Sequence, residues 1–548
     1  MKIFKTDNPG AFSEKIRNLL RPGKFIAAAL FLPAISVSSQ ILSEETFKLG
    51  NTLSLIEANY VGSADMGSLA EKAIVEILKN LDPHSTYMSA REVKEMNEQL
   101  GGNFEGIGIQ YNLLRDSVII IDPVRGGPSE RAGLKAGDRI LTIDNQKVAG
   151  MGISSSDVHR KLIGAKGTKV NITALRKGEK DILQFSIIRD KVSVSSLGAA
   201  YMLDNETGYI KLEKFGSATE KEFSDAISVL EKSSMQNLIL DLRGNGGGYV
   251  ATSTALADKF FEDQRLMVSI SGRKTPKQEF RSSGNGSLSS ARVVVLTDEG
   301  SASASEILAG ALQDWDRAVI MGRRTFGKGL VQNGYYLPDG SMIMLTIARY
   351  YTPSGRSIQS SYNDGYDKYF EDFHKRFTDG EMITADSFHF PDSLKTKTLV
   401  NERTVYGGGG IMPDAFVAAD TSYKTDYLKR LAGKNILNSF ALEYFDKNRT
   451  ILNTRYKTFD DYRDNFFFHP EDIHAFIRKG EAEGVKYDEA QFNISKDKIL
   501  LILKGLIAAN QWQADHYFQI VNENDKVIEK ALEVISDAES YNTLLGYR

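Results

Sequence analysis

The chain has 548 residues, more than one hydrophobic core usually holds, so several domains are expected. Hydrophobic residues make up 41% and charged residues 25%, which is typical of globular proteins and excludes wholesale disorder. Basic and acidic residues nearly balance, 68 against 71, and no long basic run occurs, so a nucleic-acid partner is not expected. The absence of cysteine excludes disulfides, thiolate metal sites and a cysteine nucleophile.

The N-terminus has the pattern of a secretory signal. Basic residues up to Lys24 precede an apolar run over 25–37, and small residues follow it at Ser38 and Ser39. The run is shorter than the roughly 20 residues of a transmembrane helix. We therefore predict a signal peptide over residues 1–40, with a retained N-terminal anchor as the alternative. The protein is expected to be exported, and periplasmic or associated with the cell envelope.

Four further regions follow along the chain. Residues 41–98 have apolar residues at helical spacing and predict an N-terminal helical region. Residues 99–190 are rich in glycine and short β-runs, which predicts a β-rich domain with helices. Residues 191–420 alternate strands and helices, typical of an α/β core, and contain a polar, aromatic-rich insertion at 361–402. Residues 421–548 predict a helical C-terminal extension. The expected fold class is therefore multidomain α/β.

Within the core, the pattern predicts individual elements. Continuous apolar runs indicate buried strands at 237–242, 291–296 and 318–321. Amphipathic segments indicate helices at 220–232 and 303–315.

A Gly-x-Gly turn begins the glycine-rich region. It consists of Gly106, Ile107, Gly108 and Ile109 and precedes an expected strand. The backbone N–H groups of such a turn can surround a terminal carboxylate, and the strand edge can pair with a peptide. Alone, the pattern is more typical of an ordinary tight turn. With the Ala-Gly-Leu-x-x-Gly-Asp-x-Ile-Leu run at 132–141, the region resembles a PDZ domain, which implies binding of peptide C-termini.

Two small-residue loops follow expected strands of the core. The loop 241–248, Asp-Leu-Arg-Gly-Asn-Gly-Gly-Gly, lacks the Gly-Lys-Ser/Thr of a P-loop. It can direct N–H groups at an oxyanion, or it can be only a strand-to-helix turn. The loop 300–306 contains three serines before a helix. One of them, Ser303, can be a nucleophile, or it can be only an N-cap that forms a capping box with Glu306.

A serine nucleophile needs a base, and histidine is not an obvious one here. All seven histidines lie before the core, in the insertion or in the extension: His84, His159, His374, His389, His469, His474 and His516. Lys328 lies between two glycines in an apolar stretch, where burial would lower its pKa and let the neutral amine accept a proton. Gln332 follows four residues later and can orient the amine. A lysine between glycines is otherwise usual in solvated loops.

Together these segments resemble the C-terminal processing peptidases, or tail-specific proteases, which are serine peptidases with a Ser–Lys dyad. The resemblance extends over about 45–420 and includes the segments 81–85, 349–356 and 407–414. It implies that Ser303 is the nucleophile and that Lys328, 25 residues later, is the general base. It also implies a supporting role for Gln332.

The resemblance further implies an oxyanion hole and a substrate-binding domain. The oxyanion donors would be the N–H of Ala304 and that of Gly247 or Gly248. The PDZ domain at 99–190 would bind the substrate's C-terminal tail, and the sequence leaves open whether it activates or inhibits. The insertion is longer than in short members of the family and is similar to that of envelope-bacterial relatives with long C-terminal extensions, and the extension from 421 onward matches no motif of known role. Five aromatic residues near or in the insertion can line a protein-binding surface, although such residues more often form a core: Tyr350, Tyr351, Phe370, Phe373 and Phe377.

The expected function is therefore that of a secreted serine endopeptidase that cleaves proteins near their C-termini, without metal or cofactor. Its partners would be protein substrates, and an adaptor or activator and a homo-oligomer are left open. The alternative is a non-catalytic PDZ-containing envelope scaffold on a protease fold. A retinoid- or lipid-binding protein with the same fold is disfavoured because Ser303, Lys328 and Gln332 are all present.

Overall fold

The computed structural model describes residues 43–114, 117–124, 126–387 and 390–547. The expected signal or anchor at 1–40 and His389 lie outside the described residues. The chain divides into two units after Ala70. The first unit contains α1 (Glu44–Asn59) and the start of α2 (Met66–Lys79). Within the described residues, no helix is long and apolar enough to span a bilayer.

The second unit begins with the rest of α2, which is followed by a short strand and a capped helix, β1 (Thr86–Met88) and α3 (Ala90–Leu100). Ser89 caps α3 in a capping box with Glu92, which explains where the helix begins. Helices are thus present in the region 41–98, as the sequence predicts, together with one strand that the helical periodicity did not indicate.

A six-stranded antiparallel sheet forms the next region. Its elements and those flanking it are β2 (Asn103–Gly106), β3 (Ile109–Leu114), β4 (Ser117–Pro123), α4 (Pro128–Arg131), β5 (Arg139–Ile143), β6 (Gln146–Lys147), α5 (Ser155–Leu162), β7 (Lys169–Leu175), β8 (Leu183–Ile188) and β9 (Asp190–Ser193). The strand order is β3-β4-β5-β7-β8, with β6 beside β5, so β3 is an edge strand. Strands β2 and β9 pair as a separate ribbon at the two ends of this region.

The α/β core is built on two sheets. Its elements are β10 (Leu197–Met202), β11 (Thr207–Leu212), α6 (Thr219–Lys232), β12 (Asn237–Asp241), α7 (Val250–Asp258), β13 (Leu266–Ser271), β14 (Gln278–Arg281), β15 (Arg292–Thr297), α8 (Ala304–Asp314), β16 (Val319–Gly322), β17 (Leu330–Tyr336), β18 (Met342–Tyr351), α9 (Tyr366–Thr378), the 3-10 turns Ala385–Ser387 and Asp392–Leu394, β19 (Lys395–Lys397), β20 (Thr404–Tyr406) and β21 (Ala415–Phe416). The three predicted strands and two predicted helices of the core are confirmed.

The first of these sheets has the order β10-β11-β12-β15-β16-β21 and is parallel except for β10. The second has the order β1-β18-β13-β14, with β17 also paired to β18. Strands β19 and β20 form a ribbon at the end of the insertion, with β19 inside it and β20 just after it. The mixed α/β multidomain class expected from the sequence is thereby confirmed.

The C-terminal region is helical. It contains α10 (Asp426–Gly433), α11 (Ile436–Arg455), α12 (Phe459–Asn465), α13 (Pro470–Ala482), α14 (Glu489–Gln511), α15 (Asp515–Val521), the 3-10 turn Asn522–Asn524, α16 (Lys526–Ser536) and α17 (Ala538–Leu544). Helices α10 to α15 enclose a hydrophobic core of their own.

The last two helices complete the parallel sheet. Val527 and Ile535 of α16 and Tyr541 of α17 pack with Ile239 and Val294 of the central strands. The opposite face of the sheet is covered by α6, α7 and α8. A parallel sheet covered on both faces has continuously apolar strands, which is the pattern that the core strands show. Structurally, the chain therefore does not divide at 420, because the end of the extension is a layer of the core.

Helix α11 of the extension covers the outer face of the PDZ-like sheet. Leu442 packs on Ile119 of β4. Arg139 of β5 forms an ion pair with Asp446, with 2.7 Å between Nη2 and Oδ2. Arg449 Nη1 donates to the carbonyl of Ala136 at 2.8 Å. One helix thus provides both an apolar and a charged attachment for the domain.

Candidate active site

Ser303 lies where β15 turns into α8. It is the N-cap residue of α8 and has φ 56° and ψ −111°, a conformation that non-glycine residues adopt at some cost in energy. Strands β12 and β15 are parallel neighbours, so the loops that follow them meet at the same sheet edge. At Gly247, an added Cβ would lie 2.8 Å from the Ser303 Cβ. The glycine-rich loop therefore packs directly against the candidate nucleophile and requires glycine there.

Glu306 joins the segments of Ser303 and Lys328. Its carboxylate is fully buried, and Oε2 accepts from the backbone N–H of Ser303 at 2.8 Å and of Lys328 at 2.9 Å. Oε1 accepts from Gly327 N at 2.7 Å and from Thr325 Oγ1 at 2.5 Å. Burial raises the pKa of Glu306 to about 7, although all four donors favour the ionised form. The predicted capping partner of Ser303 therefore also holds the lysine loop.

Tyr350 makes a second connection between the same two segments. Its hydroxyl donates to the carbonyl of Lys328 at 2.6 Å and lies 3.3 Å from that of Ser303. The side chain is buried in the main core. Of the two sequence interpretations for this tyrosine, a binding surface or a core, the core is the one observed.

Lys328 lies in the loop between β16 and β17. Burial lowers the pKa of its amine, and the charges of Glu306 and Asp82 oppose this shift. Among the described residues, no hydrogen bond joins the amine to the Ser303 hydroxyl or to Gln332. Active-site hydrogen bonds often form only when substrate is bound, so this resting geometry is compatible with a dyad.

The turn 81–85 brings two residues to the lysine that sequence reasoning did not assign to the site. His84 Nε2 lies 3.1 Å from the Tyr369 hydroxyl, and its ring contacts Phe326. Burial, with a smaller contribution from the charge of Lys328, lowers the pKa of His84 to about 4, against the effect of Asp82. Histidine is therefore present near the candidate base after all, in a neutral form that binds a tyrosine.

Gln332 makes its hydrogen bond to Thr346 and not to the lysine. The two residues are cross-strand partners on β17 and β18, next to a bulge between Val331 and Gln332. Gln332 Nε2 donates to Thr346 Oγ1 at 3.3 Å, and that hydroxyl donates to Asp82 Oδ1 at 3.0 Å.

The three predicted oxyanion donors differ in their hydrogen bonding. The Gly247 N–H donates to Asn245 Oδ1 at 2.9 Å. The N–H groups of Gly248 and Ala304 have no acceptor among the described residues. Gly248 has φ +147°, and a Cβ there would overlap the carbonyl of Phe215. Gly248 and Ala304 are thus the pair whose N–H groups are free for a ligand.

An ion-pair cluster supports the base of the glycine-rich loop. Asp241 is buried at the end of β12 and pairs with Arg243 and Lys211. Burial opposes ionisation, but these two cations hold the pKa of Asp241 well below its usual range. Arg243 Nη1 also contacts Asp525 at 2.8 Å, the residue that caps α16. The C-terminal layer therefore touches the loop beside Ser303.

The predicted carboxylate loop of the PDZ-like region lies at the start of the edge strand β3. Gly106 ends β2, Ile109 begins β3, and Gly108 has φ +72°. Ile107 is buried, and its carbonyl accepts from Ser129 N at 2.9 Å. The N–H groups of Ile107 and Gly108 have no acceptor in the described part of the chain. Helix α5 ends near Gly106, since its Leu162 carbonyl lies 3.4 Å from an added Cβ there.

Helix α9 of the insertion forms a wall beside the lysine loop. Phe373 packs against Phe326 with 4.7 Å between ring centroids and the rings tilted by 45°. Phe370 packs on Tyr369, whereas Phe377 is half exposed. These aromatic residues therefore mostly pack against one another. Among the described residues, no group of three His, Asp or Glu side chains is placed to hold a metal ion.

Comparisons with known proteins match three parts of the chain. Residues 206–365 match peptidase family S41, residues 106–187 match the PDZ domain, and residues 427–513 match a family of unknown function. A carboxy-terminal-processing protease of Bartonella bacilliformis is 34% identical over 348 residues, which cover 62% of this chain and 78% of that protein.

A carboxy-terminal processing protease of Bacillus subtilis is 34% identical over 344 residues, covering 62% of this chain and 71% of that protein. Among solved structures, the photosystem II D1 C-terminal processing protease is 31% identical, with a TM-score of 0.33, covering 57% of this chain and 83% of that one.

Proposed function

The chain belongs to the carboxy-terminal processing proteases of peptidase family S41 and carries a PDZ domain, and from this premise we propose that Ser303 and Lys328 form its catalytic dyad. The observation that carries the proposal is that one oxygen of Glu306 accepts hydrogen bonds from the backbone of both residues. Tyr350 supports the same arrangement from the carbonyl side.

In the acylation step, the neutral amine of Lys328 takes the proton of the Ser303 hydroxyl as Oγ attacks the scissile carbonyl carbon. The lowered pKa of Lys328 provides a larger neutral fraction than an exposed lysine would have. The negative charge that develops on the carbonyl oxygen is stabilised by the free N–H groups of Gly248 and Ala304. The ammonium then gives its proton to the leaving amine, and the C–N bond breaks.

In the deacylation step, Lys328 takes a proton from a water molecule that attacks the acyl carbon. The second tetrahedral intermediate collapses, the proton returns to Ser303 Oγ, and the new carboxylic acid leaves and gives its remaining proton to solvent. Gln332 contributes by orienting the amine. Neither step needs a metal or a cofactor.

The PDZ domain would deliver the substrate. We propose that the N–H groups of Ile107 and Gly108 bind the free carboxylate of a protein tail, and that the unpaired edge of β3 adds the tail as a further strand. Cleavage would then take place near the C-terminus. With the expected signal or anchor at 1–40, the enzyme would act in the periplasm or at the cell envelope.

The test is cleavage of a protein with an apolar C-terminal tail by the full chain. Ser303→Ala and Lys328→Ala should each lower the rate by several orders of magnitude while the far-ultraviolet circular dichroism stays unchanged. His84→Ala should retain most of the activity, because its pKa and its bond to Tyr369 do not suit a base. Activity of Lys328→Ala together with loss of activity in His84→Ala would refute the dyad.

The second candidate function is a non-catalytic scaffold that only binds peptide C-termini. The free N–H groups of the PDZ loop would serve this function equally well. The two candidates differ in the Ser303→Ala comparison, because a scaffold would show no cleavage in either protein and the same peptide binding in both.

A further inference from the structure

The turn 81–85 lies against a gap in the edge of strand β18. Strand β1 pairs with β18 at residues 342–344, and β13 pairs with it at 349–351. Between these pairings, the backbone N–H of Thr346 donates to Ser85 Oγ at 3.1 Å. Ser85 Oγ in turn donates to Asp82 Oδ2 at 2.6 Å. The turn is therefore bonded to Thr346, the β18 residue whose hydroxyl accepts from Gln332.

Asp82 determines which group donates and which accepts along the series of hydrogen bonds from Asp82 through Thr346 to Gln332. Its Oδ1 accepts from the backbone N–H groups of His84 and Ser85, each at 2.8 Å, and from the Thr346 hydroxyl. Because Thr346 gives its only hydroxyl proton to Asp82, its oxygen can bond Gln332 only as an acceptor. The Gln332 amide must then present Nε2 to Thr346. Its Oε1 accepts no hydrogen bond from any residue of the described segments.

We propose that Asp82 and Thr346 are positioning residues that fix which end of the Gln332 amide is available to Lys328. This inference rests on the proposed dyad. With Nε2 directed at Thr346, the carbonyl oxygen Oε1 is the opposite end of the amide and is available to the lysine amine. As an acceptor it binds an N–H of that amine and leaves the nitrogen lone pair for Ser303. If the amide rotated, its NH₂ group would instead compete with Ser303 for that lone pair.

The first arm of the test uses Thr346→Val, which keeps the shape of the side chain and removes the hydroxyl. We expect kcat to fall about tenfold to a hundredfold, because small errors in the position of catalytic groups have effects of this size. KM should change little, since Thr346 is not part of the peptide-binding loop. Thr346→Ser should restore most of kcat. Asp339→Asn, an exposed acid in the turn after β17, is the matched control and should have wild-type kcat.

The second arm asks whether Thr346 acts through Gln332. Gln332→Ala alone should lower kcat, and adding Thr346→Val to it should cause no further loss. Independent losses that multiply would overturn the proposal. Wild-type kcat in Thr346→Val, or no recovery in Thr346→Ser, would also overturn it.

The third arm uses Asp82→Asn and the pH dependence of the rate. Lys328 faces Glu306 from α8 and both Asp82 and His84 from the turn 81–85. Removing the Asp82 charge should move the rising limb of the profile to lower pH, because that charge opposes deprotonation of the amine. Thr346→Val removes no charge and should move the limb less than Asp82→Asn does. A merely structural defect would lower the rate without this difference, and an unmoved limb in Asp82→Asn would contradict the proposal.

The experiments distinguish failure of the positioning role from failure of the proposed Ser303–Lys328 dyad. Full activity in Ser303→Ala would remove the proposed function itself. Inactivity of Ser303→Ala and Lys328→Ala with a wild-type Thr346→Val would remove only the role of Thr346. Thermal unfolding of each variant shows whether the fold is kept, and if Thr346→Val does not fold, Asp82→Asn takes its place in the double-variant test with Gln332→Ala, where independent losses would again overturn the proposal.

Discussion

Removing the Tyr350 hydroxyl should separate the nucleophile and base segments without changing the core. In Tyr350→Phe the ring keeps its buried position, so no cavity forms. The Ser303 carbonyl still accepts from Glu306 N at 2.9 Å and Ile307 N at 3.0 Å, and is therefore satisfied. The Lys328 carbonyl loses its 2.6 Å bond and has no other donor among the described residues. Leaving that single acceptor unpaired should cost about 1–3 kcal/mol of stability.

The effect on the reaction should exceed what the loss of stability alone would produce. Lys328 would be held through its N–H by Glu306 but no longer through its carbonyl. We expect kcat to fall about tenfold or more, with KM nearly unchanged, because the lysine loop then samples geometries in which its amine is misplaced. The pH profile should not move, since burial raises the pKa of Tyr350 well above 10 and the phenol stays neutral.

The assay is single-turnover cleavage together with urea denaturation of the same preparations. Tyr351→Phe is the matched control, because this neighbouring tyrosine is partly exposed and should change stability by no more than about 0.5 kcal/mol. A Tyr350→Phe enzyme with reduced stability and wild-type kcat would refute the view that this hydroxyl aligns the site.

Three further predictions concern the base, the C-terminal layer and the PDZ loop. The cleavage rate should rise with pH through a midpoint below 10.5, because burial lowers the pKa of Lys328 and only the neutral amine accepts a proton. A midpoint at or above 10.5 would contradict this. Asp525→Ala should lower the free energy of unfolding in urea by about 1–3 kcal/mol, because it removes both the cap of α16 and a partner of Arg243. Asp525→Asn keeps a capping group and should lose less stability. Equal losses in the two variants would exclude the capping contribution. The full chain with Ser303→Ala should bind a free-acid peptide more tightly than its amide by calorimetry, and Gly108→Ala should weaken that binding, since its φ of +72° strains any side chain; equal affinities for acid and amide would refute carboxylate binding.

The elements of the core could be predicted from sequence because their signals are local. Buried parallel strands are continuously apolar, and α8 begins at the Ser303 to Glu306 capping pattern. The candidate dyad residues could also be identified from the sequence, since both lie in short motifs at a fixed spacing. Asp82 and His84 were not assigned to the site, because they lie more than 200 residues before Lys328 and only the folded chain brings them together.

Two other features could not be predicted from the sequence, because they too depend on contacts between distant residues. The amphipathic pattern of α16 indicates a buried face but does not name the surface that it covers, which is the far side of the core sheet. The role of Tyr350 could not be separated from that of an ordinary core aromatic, because its hydroxyl acts through contacts with two distant carbonyls. Hydrophobic periodicity in the sequence indicates which residues are buried, but it does not indicate which residues they contact.

The attachment of the C-terminal helices restricts how the substrate-binding domain can move. With the β2–β9 ribbon as its single attachment, the PDZ domain would be free to rotate about that ribbon relative to the core. Leu442 and Asp446 of α11 provide a second point of attachment on the outer face of its sheet, and Asp525 fastens the same run of helices to the glycine-rich loop. A body held at two points can rotate only about the line joining them. A large movement about any other axis must therefore first detach α11, whose run of helices also contacts the loop beside Ser303 through Asp525.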